Sequence, residues 1–171
     1  LAMLTFLETL RELGGEIRAA LDADRAAAVE TYLGFVLDKG ISYNCKQSIY
    51  DSNRGIRNAF QRHDFSLKWS FSEFDAAGNL LPWGIDQIAD AYSDLAKLTR
   101  PAQYALWHDE SAPPSERLSI WQGSATNLDR APARSLHNIT FDPPYYDNVM
   151  YAELSDFFYV WLKRSVGHLF P

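Results

Sequence analysis

Two consecutive prolines, Pro143 and Pro144, stand between Asp142 and Tyr145, directly behind the apolar run Leu136-His137-Asn138-Ile139-Thr140-Phe141. Each proline fixes φ and removes a backbone donor, so the loop is stiff and its carbonyls are free to face a ligand. The same four residues also make a structural turn, in which proline sets φ and Asp142 bonds the backbone. The flanking sequence has to decide between the two.

The first third of the chain reads as helical. Leu4, Leu7, Leu10, Leu13 and Ile17 recur at helical spacing, with Gly14-Gly15 as an expected interruption. Asp24 is placed to cap a second helix carrying Val29, Tyr32, Leu33 and Val36 as far as Gly40. From Phe65 the pattern changes to alternation, with Phe65, Leu67, Trp69 and Phe71 on one side and serines and Lys68 on the other, which predicts a strand near 65–74. Asp75–Asn79 then reads as a loop, and Ile85, Ile88, Tyr92, Leu95 and Leu98 form one helical stripe ending before Pro101.

Glu110–Ser115 is a connector, dividing a mainly helical region, 1–110, from a segment 111–171. In the latter, strands at Leu118–Gln122 and Leu136–Phe141, joined by the loop from Gly123, precede a helix from about Val149. That order has the grammar of an α/β fold with an open sheet, where ligands bind at the carboxyl ends of the strands. Asp142 falls at such an end. The last helix gathers Leu154, Phe157, Phe158, Trp161 and Leu162 on one apolar face, better explained as core than as stacking platforms.

From Phe141 to Arg164 the chain reads FDPPYYDNVMYAELSDFFYVWLKR, which resembles the DPPYYD-containing segment of prokaryotic adenine-specific DNA methylases that carry an uncharacterised N-terminal domain and, in some members, a zinc ribbon. Between Tyr43 and Phe74, the run NRGIRNAFQRHDFSLKWSFSEF is similar, more loosely, to the region preceding the catalytic loop of that family. The resemblance implies a partial Rossmann-like methyltransferase sheet in 111–171, and a largely helical N-terminal portion that contacts DNA or is accessory. It implies S-adenosylmethionine as cofactor and DNA as partner.

An exocyclic amine is a poor nucleophile because its lone pair is delocalised into the ring. The resemblance gives Asp142 and the Pro143 carbonyl the task of accepting its two N–H groups and localising that lone pair, with Pro144 stiffening the loop and Tyr145 stacking on the base. The loop would activate adenine or cytosine, adenine being the expected base. A catalytically silent DNA-binding or interaction module of the same fold is the alternative from another class. Tyr146 is open between a nucleic-acid contact and core packing, and Asp147 and Asn148 between helix caps and ligand contacts. Gly123-Ser124-Ala125 resembles the turn where this class often places an acidic residue against the cofactor; here the residue is Ser124, which can supply one hydroxyl or simply end a strand.

S-adenosylmethionine sites of this kind use a glycine-rich turn after the first strand, and no G-x-G occurs in the chain. The expectation is therefore an internal fragment that needs the remainder of a full-length methylase. Cys45 is the only cysteine, so no intrachain disulfide or cysteine-based zinc site forms within these residues. His63, His108, His137 and His168 are scattered, and no metal site is expected.

A net charge of −6 argues against a broad phosphate-binding face. Locally, however, Lys46, Arg54, Arg57, Arg62 and Lys68 outnumber Asp51 and Asp64 between positions 46 and 68. That window is either a solvated surface or a contact for the DNA backbone, with Arg54, Arg57 and Arg62 as the candidates. No apolar stretch is long enough to cross a bilayer and no signal-peptide pattern opens the chain, so the expectation is a cytoplasmic protein with no membrane partner.

Overall fold

The computed structural model describes residues 1–61, 68–99, 118–124, 126–143, 145–146 and 148–170. They fall into two units, one formed by Leu1–Ala91 with Tyr146–Pro171 and the other by Tyr92–Tyr145.

In the first unit, helix α1 (Ala2–Ala20) buries Met3, Leu7 and Gly14 and half-buries Phe6, Leu10 and Ile17. That stripe differs from the expected one at two places, because Leu4 and Leu13 remain 51% and 37% exposed. Helix α2 (Ala23–Tyr43) is capped by Asp22 rather than Asp24: the Asp22 carboxylate accepts the Arg25 N–H at 3.0 Å. Both expected glycine breaks are absent, and packing explains why. A Cβ at Gly40 would lie 2.9 Å from Met3 Sδ, so this glycine lets α1 approach α2 closely instead of ending the helix. At Gly14 a Cβ would lie 3.0 Å from Glu30 Oε2, the carboxylate that α2 presents to α1.

After α2 comes a short antiparallel hairpin, β1 (Ile49–Asp51) and β2 (Gly55–Arg57), in the register Ile49↔Arg57, Tyr50↔Ile56, Asp51↔Gly55. Its turn is closed by Arg54 N–H to Asp51 O at 3.1 Å and Asn53 N–H to the Asp51 carboxylate at 2.9 Å. Gly55 follows at φ 73, a left-handed position that glycine takes without a steric penalty.

The strand expected near 65–74 does not form over its described part, 68–74. One backbone bond, Ser72 N–H to Ser48 O at 3.4 Å, and several side-chain bonds hold that segment instead. The Ser48 hydroxyl donates to Ser72 O at 2.8 Å, and the Asn44 amide exchanges two 3.3 Å bonds with the Phe74 backbone. Alternation supplied a pleat-compatible pattern, but no strand among the described residues forms a ladder with it. Asp75–Asn79, expected as a loop, opens a π-helical turn (Ala76–Leu80) that Asp75 caps through Gly78 N–H at 3.1 Å.

The turn leads into α3 (Leu81–Thr99), which ends before Pro101 as expected. Its predicted stripe is largely wet: Ile85, Tyr92, Leu95 and Leu98 are all exposed. The last helix, α4 (Tyr151–Ser165), packs on α1 and α2 and half-buries all five residues of its expected apolar face. The core consists of Met3, Leu7, Leu37, Ile41, Ala76 and Leu80, against which Tyr43, Phe74, Trp83, Phe157 and Trp161 pack.

The α/β expectation fails. Among the described residues there are four α-helices and one two-stranded antiparallel sheet, and neither Leu118–Gln122 nor Leu136–Phe141 is a strand. A partial Rossmann-like sheet is therefore not formed by the described residues. A strand needs neighbours for its backbone N–H and C=O groups and a surface on which to bury one face. These two segments have neither, as Ile120, Ile139 and Phe141 show with 86%, 61% and 77% of their surface exposed. The expected seam at 110–115 lies outside the described residues.

Candidate functional site

Asp142, Pro143 and Tyr145 belong to the second unit and are exposed; Pro144 lies outside the described residues. Tyr145 keeps 60% of its surface in water. A purely structural Asp-Pro turn would spend the aspartate on the backbone. Here no hydrogen bond among the described residues engages the Asp142 carboxylate. The Asp142 carboxylate and the Tyr145 ring are both open to a ligand from solvent.

Tyr146 is 97% exposed, which removes core packing as its role. Its φ of 53 places a bulky residue in the left-handed region, a local strain of about 1 kcal/mol. Helix α4 begins with Met150 as its N-cap and no side-chain cap bond, so Asn148 does not cap it; Asp147 lies outside the described residues.

Ser124 sits in a tight local turn. Its Oγ is 2.8 Å from Thr126 Oγ1 and accepts the Thr126 N–H at 3.3 Å, so the hydroxyl is committed within the loop. Just beyond it, Asn127 binds the Asp129 carboxylate at 2.8 Å. One committed hydroxyl and a paired carboxylate do not make an S-adenosylmethionine site, and the described residues of this turn do not fit that cofactor.

Arg54 occupies the hairpin turn and is exposed, Arg57 closes β2 half-buried, and Arg62 lies outside the described residues. The hairpin thus holds two of the three arginines on one small element. No group of three His, Cys, Asp or Glu side chains able to hold a metal occurs among the described residues. Cys45 is half-buried, with Sγ 3.9 Å from Ser42 O. No described helix is long and apolar enough to cross a membrane.

Two features of the first unit were not visible in the sequence. A cavity of about 260 Å³ is lined by Phe35, Asp38, Ser42, Tyr43, Asn58 and Phe158. Burial raises the Asp38 carboxyl to about 7, so it can take or release a proton near neutrality. Both Asp38 Oδ1 and Asn58 Oδ1 are buried without a hydrogen-bond partner among the described residues. The neighbouring Lys39 ammonium lies 4.7 Å above the Trp83 ring. The second feature is a basic cavity between α1, α2 and α4, floored by the buried Glu30. In sequence, Asp38 and Glu30 look like ordinary helix carboxylates, and the only hint for Asp38 is its place inside the apolar stretch Phe35–Ile41.

No family model, no curated protein and no solved structure matches this chain.

Proposed function

We propose that this chain is a segment of an S-adenosylmethionine-dependent DNA methyltransferase acting on the exocyclic amine of adenine. The observation that carries the reading is the Asp142–Tyr145 loop, whose carboxylate has no hydrogen-bond partner among the described residues and whose tyrosine is 60% exposed. In this reading the target base leaves the duplex and stacks on Tyr145. Asp142 accepts one amine N–H and the Pro143 carbonyl the other, which localises the nitrogen lone pair. Ser124 is spent locally, so the cofactor site is assigned to residues of a longer protein, and this chain supplies only the amine side.

The test is methyl transfer by the full-length protein to a duplex bearing adenine in its target site. Asp142→Ala is expected to lower transfer by about 100-fold or more, the scale seen when a single transition-state hydrogen bond is removed. An exposed loop carboxylate contributes little to packing, so the circular dichroism spectrum should be unchanged. Transfer close to wild type in that variant removes the reading. A duplex offering only cytosine as the methylatable base separates the two amines, and preferential transfer to it would reassign the substrate.

A further inference from the structure

The cavity between α1, α2 and α4 gathers Arg11, Arg18, Lys163 and Arg164, four of the 16 basic residues in a chain of net charge −6. Its volume is about 270 Å³. One carboxylate faces these cations. Glu30 is 6% exposed, takes Arg18 Nη1 at 2.6 and 2.7 Å on its two oxygens, and lies 3.0 Å from His168 Nε2. Its charge is spent on the floor, and the remaining cations have no carboxylate partner among the described residues.

Helix dipoles explain part of the arrangement. Arg18, Lys163 and Arg164 stand in the last turns of α1 and α4, where cations complement the free carbonyls, and Arg164 donates to Val160 O at 2.9 Å. Arg11 lies mid-helix and gains nothing from that source. Nor does a dipole require cations from two helices to line one cavity, where they repel one another.

We propose that this cavity binds a phosphate group. A phosphate carries enough charge and enough acceptor oxygens to engage several guanidinium and ammonium donors at once, whereas a carboxylate would leave most of them unpaired. The site stands independently of any methyl-transfer activity. Its ligand is either a free phosphate or the phosphodiester of a nucleic-acid backbone.

Inorganic phosphate titrated into the full chain at low salt, followed by ¹⁵N NMR, is expected to give saturable shifts around Arg11, Arg18 and residues 162–168. The variant Arg11→Ala/Lys163→Ala leaves the Arg18–Glu30 pair intact, and its own spectrum reports whether it is folded. It should weaken binding by about tenfold or more, because two charge-assisted hydrogen bonds to the ligand are removed. Arg25→Ala/Lys97→Ala removes the same charge from exposed pairs elsewhere and should leave binding unchanged. Absence of saturable shifts, or equal weakening by the two variants, overturns the proposal. Competition by a short DNA duplex for the same residues identifies the backbone as the source, and phosphate binding without competition identifies a free phosphate.

Discussion

At Asp38 the fold holds a carboxyl whose pKa is about 7, raised by burial from an ordinary value of 3.8. Because the folded value lies above the unfolded one, the native state binds the proton more tightly, and this contribution to stability is full below about pH 4. It is lost as pH rises through 7. With solvent screening of a partly exposed group discounted, the charged form costs about 1–2 kcal/mol. Asp38→Asn removes the titration, so its urea midpoint should rise relative to wild type between pH 4 and pH 8; a constant difference across that range would contradict the assignment. Asp142 could be singled out in the sequence because a proline pair beside it is a local signal that needs no tertiary contact. Asp38 could not, since its pKa depends on Phe35, Phe158 and Asn58 closing over it, and those come from three separate parts of the chain.

Neighbouring glycines separate helix propensity from packing within α1. Gly15 meets nothing within 4 Å of a Cβ, so Gly15→Ala should stabilise the protein by about 0.5–1 kcal/mol. Gly14→Ala gains the same propensity but presses on a Glu30 carboxylate that Arg18 and His168 hold in place. Thermal melts should show that gain cancelled or reversed, and equal gains at the two positions would mean that Glu30 yields freely. On the hairpin, Arg54→Ala/Arg57→Ala in the full-length protein should weaken DNA binding alike for all sequences and lower its salt slope by about one for each phosphate no longer neutralised. An unchanged slope would mark the hairpin as solvated surface. Helices were the legible elements, because a 3.6-residue stripe is a local signal that Leu7, Leu10 and Val36 satisfy by themselves, whereas the cap falls at Asp22 rather than Asp24, and the end at Tyr43 rather than Gly40 was set by packing. Strands were not. Leu118–Gln122 and Leu136–Phe141 carry an apolar pattern suited to a sheet, but a sheet is a pairing of distant segments, and pattern does not supply the partner.

For the molecule as a whole, the proposed methyl-transfer reading leaves the methyl donor without a site among the described residues. Titration calorimetry of this chain with S-adenosylmethionine should give no binding tighter than about millimolar, because a single hydroxyl already used by Thr126 cannot offset the entropy of holding so flexible a ligand. Clear micromolar binding would place the donor site within these residues after all. The packing of α4 carries a different consequence, one of timing during synthesis. Leu162 and Val166 come to within 4 Å of where a Cβ at Gly34 would stand, and Phe157 and Phe158 meet the ring of Phe60. Helices α1 and α2 leave the ribosome long before α4, and bringing α4 back closes a long loop. A nascent chain paused ahead of Tyr151 therefore offers chaperones the apolar groove along Gly34 and Phe60 that α4 later fills.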